Sequence, residues 1–176
     1  MPEQLNLFDL KPTTPSREPT LKITLEALQQ WKARIIDYQQ NLGQPQQMLL
    51  FQEEAKPEID PFSLKLYNSE FYQWNKDEGD NCLYFVIDGA ASLVLYVGET
   101  KRSPTQRWKG KHDARDYISN YIALHRRHKL DVAVATAFYW DVSGEKRALR
   151  KLEQELIQRW RSPFNRESWK YWGKLF

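Results

Sequence analysis

The sequence predicts an α+β (α/β) fold in the order β, β, α, α, β, α, preceded by an N-terminal helical extension. Residues 83–88 (LYFVID) and 93–97 (LVLYV) are short apolar runs separated by Gly89, Ala90, Ala91 and Ser92, the pattern of a β-hairpin. Residues 132–140 (VAVATAFYW) form a third run of β-branched and aromatic residues. Residues 115–128 and 145–161 instead repeat apolar side chains at helical spacing.

Along the chain, residues 1–20 carry prolines and little periodicity and predict a flexible tail. Residues 24–42 predict a helix, with Leu25, Leu28, Ile35 and Tyr38 among polar positions and Gly43 as its stop. That helix could pack on the rest of the chain, contact DNA or dimerise, and its negative local balance argues against DNA. Residues 44–61, rich in Gln, Glu and Pro, read as a linker, so 21–79 form a helical extension and linker ahead of a domain over 80–176. Pro104 suits the first turn of a short helix over residues 105–108. Ile118, Tyr121, Ile122 and His125 define the next helix, and residues 141–144 form the turn after the third strand.

The last helix holds an anomaly. At about 100° per residue, Leu152, Leu156, Trp160 and Ile157 fall at about −60°, −20°, +20° and +80° from Leu149. Glu153 falls at about +40°, inside that stripe, whereas Glu155 falls at about −120°, on the face that should meet water. A carboxylate on a buried face costs several kcal/mol unless a partner or a metal compensates it. Glu153 is therefore a candidate working residue.

At 176 residues there is room for one domain with an extension. The single cysteine, Cys82, excludes an intrachain disulfide and a cysteine-rich zinc site and fits a reducing compartment. The start MPEQLNLFDLKP lacks the basic and apolar parts of a signal peptide, and no run approaches a membrane span, so a cytoplasmic chain with no membrane partner is expected. The net charge of +3 is uneven: residues 1–81 hold 8 Lys+Arg against 13 Asp+Glu, and residues 82–176 hold 18 against 10, or −5 and +8. A basic half interleaved with Trp and Tyr suits a phosphate backbone.

Reading outward from Glu153, the chain carries Cys82-Leu83-Tyr84 on the first predicted strand and Tyr96-Val97-Gly98 on the second. Arg107 and, beyond the last helix, Pro163-Phe164-Asn165 follow. This ordered set, over residues 82–165, resembles the GIY-YIG nuclease superfamily. The phrase LEQELIQRWRSPFN is similar to the glutamate helix and following Pro-x-Asn of the excision-repair incision subunit's N-terminal nuclease domain. The resemblance implies a small three-stranded, mainly antiparallel sheet flanked by helices in ββααβα order. Cys82 and Leu83 depart from the first tripeptide, in which only the tyrosine matches. Eleven residues separate Tyr96 from Arg107, slightly more than in short members, and Ser103-Pro104 would absorb the excess in a loop.

The activity so implied is metal-dependent endonucleolytic hydrolysis of DNA phosphodiester bonds. Glu153 would bind one divalent cation, Mg2+ with Mn2+ as the alternative. Arg107 would contact the scissile phosphate through its planar fork. Tyr84 would orient or deprotonate the nucleophilic water, with Tyr96 lining the same pocket. An unperturbed tyrosine titrates near 10, so acting as a base requires help from a metal or a nearby cation. His112 would assist proton transfer or lie on the surface as a DNA contact. Asn165 would hold the active-site loop or a phosphate, or serve as a turn residue after Pro163. Lys101, Arg102, Lys109, Lys111, Arg126 and Arg127 are DNA-backbone candidates flanking that pocket. His125 and His128 share a helical face but lack a third ligand, and read as a solvated or phosphate-facing surface.

Gln4-Leu5-Asn6-Leu7-Phe8 resembles the short peptide with which bacterial proteins dock on the replicative sliding clamp, Leu7 and Phe8 being suited to an apolar pocket. Residues 47–51 (QMLLF) are a looser match, and either segment could instead clasp the domain. The alternative to an enzyme is a non-catalytic nucleic-acid-binding or clamp-associated accessory protein retaining the fold.

Overall fold

The computed structural model describes residues 22–43, 59–67, 80–104 and 113–176. In chain order its main elements are α1 (Leu25–Gln40), β1 (Leu66–Tyr67), β2 (Cys82–Asp88), β3 (Leu93–Thr100), α2 (Asp113–Arg127), β4 (Val134–Tyr139), α3 (Lys146–Trp160) and the single turn α4 (Trp169–Trp172). The fold is α+β. Its four-stranded sheet has the order β1-β4-β2-β3, with every neighbouring pair antiparallel. The sequence predicts three strands; the fourth, β1, places Leu66 opposite Ala137 and Tyr67 opposite Thr136 along β4. Two residues are too few to produce a period-2 signal, and the surrounding composition resembles a linker. The short helix expected over 105–108 lies outside the described residues.

All of β2 is buried because both faces of the sheet are covered. Cys82, Tyr84 and Val86 pack with Leu28, Trp31 and Ile35 of α1 and Tyr121 and Leu124 of α2. Leu83, Phe85 and Ile87 point the other way, against Leu149, Leu156, Ile157 and Trp160 of α3. Each fully buried Leu, Ile or Phe contributes about 1.5–3 kcal/mol relative to an exposed one. The region read as an N-terminal extension thus contributes α1 to the core.

A buried polar network ties α1 and α2 to β2. Asp88, fully buried, accepts hydrogen bonds from Lys32 Nζ at 3.1 Å, the Tyr121 hydroxyl at 2.7 Å and the N–H groups of Ala90 and Ala133 at 3.1 and 3.0 Å. Burial opposes ionisation of Asp88, but the Ala133 N–H, Tyr121 hydroxyl and Lys32 outweigh it and lower the pKa. His125 donates from Nδ1 to the Tyr121 carbonyl at 2.8 Å, leaving Nε2 to accept from Lys32 Nζ at 3.0 Å. Burial lowers its pKa, in keeping with a neutral ring. The expectation of a solvated face for His125 and His128 is corrected accordingly. His125 is interior, and half-buried His128 donates from Nε2 to the Ile23 carbonyl at 3.2 Å. No helix among the described residues is long and apolar enough to cross a membrane.

Candidate active site

β3 forms one edge of the sheet, so the backbone groups on its outer side need partners from elsewhere. Side chains supply most of them. Gln39 accepts from the Val94 N–H at 2.8 Å and donates to the Val94 carbonyl at 3.0 Å. Asn165 repeats this pairing at Val97, accepting its N–H at 2.9 Å and donating to its carbonyl at 2.8 Å. Between them the Phe164 N–H reaches the Leu95 carbonyl at 3.0 Å. At the far end the Glu99 N–H donates to Glu153 Oε1 at 3.1 Å. The segment after α3 and the carboxylate of Glu153 are thereby docked along one strand.

A bulge in β3 determines which way its tyrosine points. Val86 pairs with Tyr96 and Ile87 with Val94, leaving Leu95 as an extra residue. Tyr96 and Gly98 consequently share the face of Tyr84, which pairs with Gly98 across the strands. The rings of Tyr84 and Tyr96 stack with centroids 5.9 Å apart and planes at 29°. A Cβ added to Gly98 would collide with the hydroxyl end of the Tyr84 side chain, so glycine is required there by close approach.

A cleft of about 340 Å³ opens beside this edge, lined by Tyr96, Tyr117, Glu153, Gln154, Asn165, Arg166 and Glu167 among others. Glu153 is half-buried within the apolar stripe, between the buried Trp160 and Ile157. Its pKa is raised from 4.5 to about 7, chiefly by burial and then by the Glu99 carboxylate. The Glu99 N–H and Arg150 act in the opposite direction, and Glu167 adds to the rise. Glu155, by contrast, lies 3.9 Å from Lys151 in a solvent-facing i,i+4 pair.

The cleft thus brings together Tyr96, Glu153 and Asn165. Tyr84 does not line it: at 1 % exposure it lies behind Tyr96. Asn165 is 5 % exposed and also accepts from the Ser162 hydroxyl at 2.6 Å, so its amide is engaged in holding the turn to β3. Lys101 and Arg102 are exposed at the end of β3, in a neighbouring hollow with Glu99, Lys146 and Arg150. Arg126 and Arg127 do not flank the cleft. Ala114 and Tyr117 reach it from the start of α2, and Arg126 lies about 14 Å beyond Tyr117 along the axis at 1.5 Å per residue. Arg107, Lys109, Lys111 and His112, and the tail residues Gln4, Leu5, Leu7 and Phe8, lie outside the described residues.

Sequence reasoning missed Glu99, Tyr117, Glu167 and the edge-pairing Gln39. Glu99 follows Tyr96-Val97-Gly98 directly, but its approach to Glu153 is a contact between β3 and α3 that no local pattern announces. No group of three or more His, Cys, Asp or Glu suited to hold a metal occurs among the described residues. The chemistry of Glu153 is nonetheless compatible with a cation. One half-buried carboxylate raised by burial and then by neighbouring negative charge is what a divalent ion would relieve, and Mg2+ is commonly held by one or two carboxylates with water completing its shell. Glu153, with Glu99 beside it, is the group that could hold it. Comparisons with protein-family models, curated proteins and solved structures found no match.

Proposed function

We propose that this chain is a metal-dependent endonuclease that hydrolyses DNA phosphodiester bonds, with the Tyr96–Glu153 cleft as its active site. The observation that supports this reading best is the meeting of Tyr96, Glu153 and Asn165, from β3, α3 and the following turn, around one cleft. Glu153 holds the cation. The bound ion would polarise the phosphate and stabilise the leaving oxygen. Tyr96 faces the cleft and orients the water or phosphate through its hydroxyl, while Tyr84, stacked behind it, fixes its ring. Arg107 contacts the phosphate and His112 assists proton transfer, both on the resemblance. Asn165 acts as a positioning residue that anchors the turn to Val97.

A nicking assay with Mg2+ or Mn2+ tests the reading on plasmid, branched and damaged DNA. Glu153→Gln retains an acceptor for the Glu99 N–H and should fold, yet lose cleavage by about 10²-fold or more. Cleavage equal to that of the unmodified chain would refute the role of Glu153. Binding without nicking by the unmodified chain would favour an accessory nucleic-acid-binding protein. Docking of Gln4, Leu5, Leu7 and Phe8 on the sliding clamp is a separate part of the proposal. Deleting residues 1–10 should abolish clamp binding, and unchanged affinity would reject it.

A further inference from the structure

Three hollows run end to end along α3. The first contains Glu99, Lys101, Arg102, Lys146 and Arg150, and it adjoins the cleft where the Glu99 N–H meets Glu153. At the other end, the cleft shares Gln154, Ile157, Arg166 and Glu167 with a third hollow that also includes Lys170 and Tyr171. Lys146, Arg150, Glu153, Gln154, Ile157 and Gln158 lie at i, i+4, i+7, i+8, i+11 and i+12, a single stripe of the helix. From Lys146 to Gln158 the helix rises about 18 Å, the length of about five nucleotide steps at 3.4 Å each.

Charge along this groove is uneven. Lys101, Arg102, Lys146 and Arg150 line the first hollow with Glu99, Glu153 lines the cleft, and Arg166 and Glu167 line both the cleft and the third hollow, to which Lys170 adds a further cation. The four cations Lys146, Arg150, Arg166 and Lys170 are exposed. Lys170 lies 5.0 Å over the Tyr171 ring and Arg166 lies 6.0 Å over Trp169, contacts that steer both charges on that side. A small anion would need one cationic site. Cations in both end hollows, outnumbering the acids there, with Glu153 in the cleft between them, fit an extended polyanion that spans both.

We propose that this groove holds a DNA strand along α3, with Lys146 and Arg150 contacting phosphates on one side of the Glu153 cleft and Arg166 and Lys170 contacting them on the other. The inference deepens the nuclease reading and rests on it for which phosphate lies over Glu153. Binding of a fluorescein-labelled duplex is followed by anisotropy across a salt series, using the full chain with Glu153→Gln to suppress cleavage. Lys146→Gln with Arg150→Gln, or Arg166→Gln with Lys170→Gln, should each reduce the slope of log K against log salt by about 1.8. Lys151→Gln, paired with Glu155 and outside all three hollows, should leave the slope unchanged, as should the charge-preserving Arg150→Lys. Where a pair impairs folding, the single substitutions decide, each expected to remove about 0.9. Unmodified slopes in both groove pairs, or an equal loss in Lys151→Gln, would overturn the proposal. Reduced slopes without nicking by the unmodified chain would reject the nuclease reading alone. Nicking with unaltered slopes would reject the groove alone.

Discussion

Replacing Asn165 by alanine separates two roles that its amide could have. The side chain makes three hydrogen bonds, with the Val97 N–H at 2.9 Å, the Val97 carbonyl at 2.8 Å and the Ser162 hydroxyl at 2.6 Å, in a residue only 5 % exposed. At about 0.5–1.5 kcal/mol net per bond, their loss amounts to about 1.5–4.5 kcal/mol. The upper part of that range is expected, because truncation also leaves both Val97 backbone groups without partners on the outer edge of β3. Against a domain stability of about 5–15 kcal/mol this is a large fraction. Urea unfolding should show a lower midpoint at unchanged slope, and hydrogen exchange at the Val97 amide should accelerate. Asn165→Asp should be similarly destabilising at neutral pH, since it keeps one acceptor but turns a second oxygen toward the Val97 carbonyl. A stability loss below about 0.5 kcal/mol with unchanged Val97 exchange would refute the edge-anchoring role. Loss of cleavage alone would then assign the amide to the substrate.

Glu153 carries a proton in the folded state over a pH range in which the unfolded chain has lost it, because its pKa rises from 4.5 to about 7. Stability should therefore fall as pH rises through that window, by at most on the order of 3 kcal/mol. Glu153→Gln should flatten this dependence and be the more stable protein at pH values above about 7; urea midpoints in EDTA on both sides of the window check it, and parallel curves would refute it. Gly98→Ala should cost about 1–3 kcal/mol by forcing a methyl group into the hydroxyl end of the Tyr84 side chain. Tyr84→Leu should relieve part of that cost in a double-mutant cycle, whereas full additivity would contradict the contact. Glu155→Gln, which weakens a loose, solvent-facing pair with Lys151, should change stability by less than about 0.5 kcal/mol and leave cleavage intact in the same assays.

Local periodicity was sufficient for the hairpin, the third strand and the helices, since burial repeats every second residue in a strand and every third or fourth in a helix. β2 reads as a continuous apolar run because it is buried on both faces. β1 was illegible, as two residues carry no period and its position depends on β4 offering an open edge. The helical wheel located Glu153 but could not reveal Glu99 as its neighbour. It also could not show that the buried His125, bonded to the Tyr121 carbonyl one turn back in α2, is completed by Lys32 from α1.

What the sequence determined alone was the α+β composition, the element order over the hairpin, β4 and α3, and the misplaced charge at Glu153. Those features depend on residues close together along the chain. Tertiary structure decided the order of the sheet, the bulge that turns Tyr96 onto the face of Tyr84, and the pairing of Val94 and Val97 with Gln39 and Asn165. It also raised the Glu153 pKa by bringing burial and the Glu99 carboxylate together. These are consequences of contacts between segments far apart in sequence, and a one-residue change in the register of β3 would turn its side chains to the opposite faces and break its edge pairings at once.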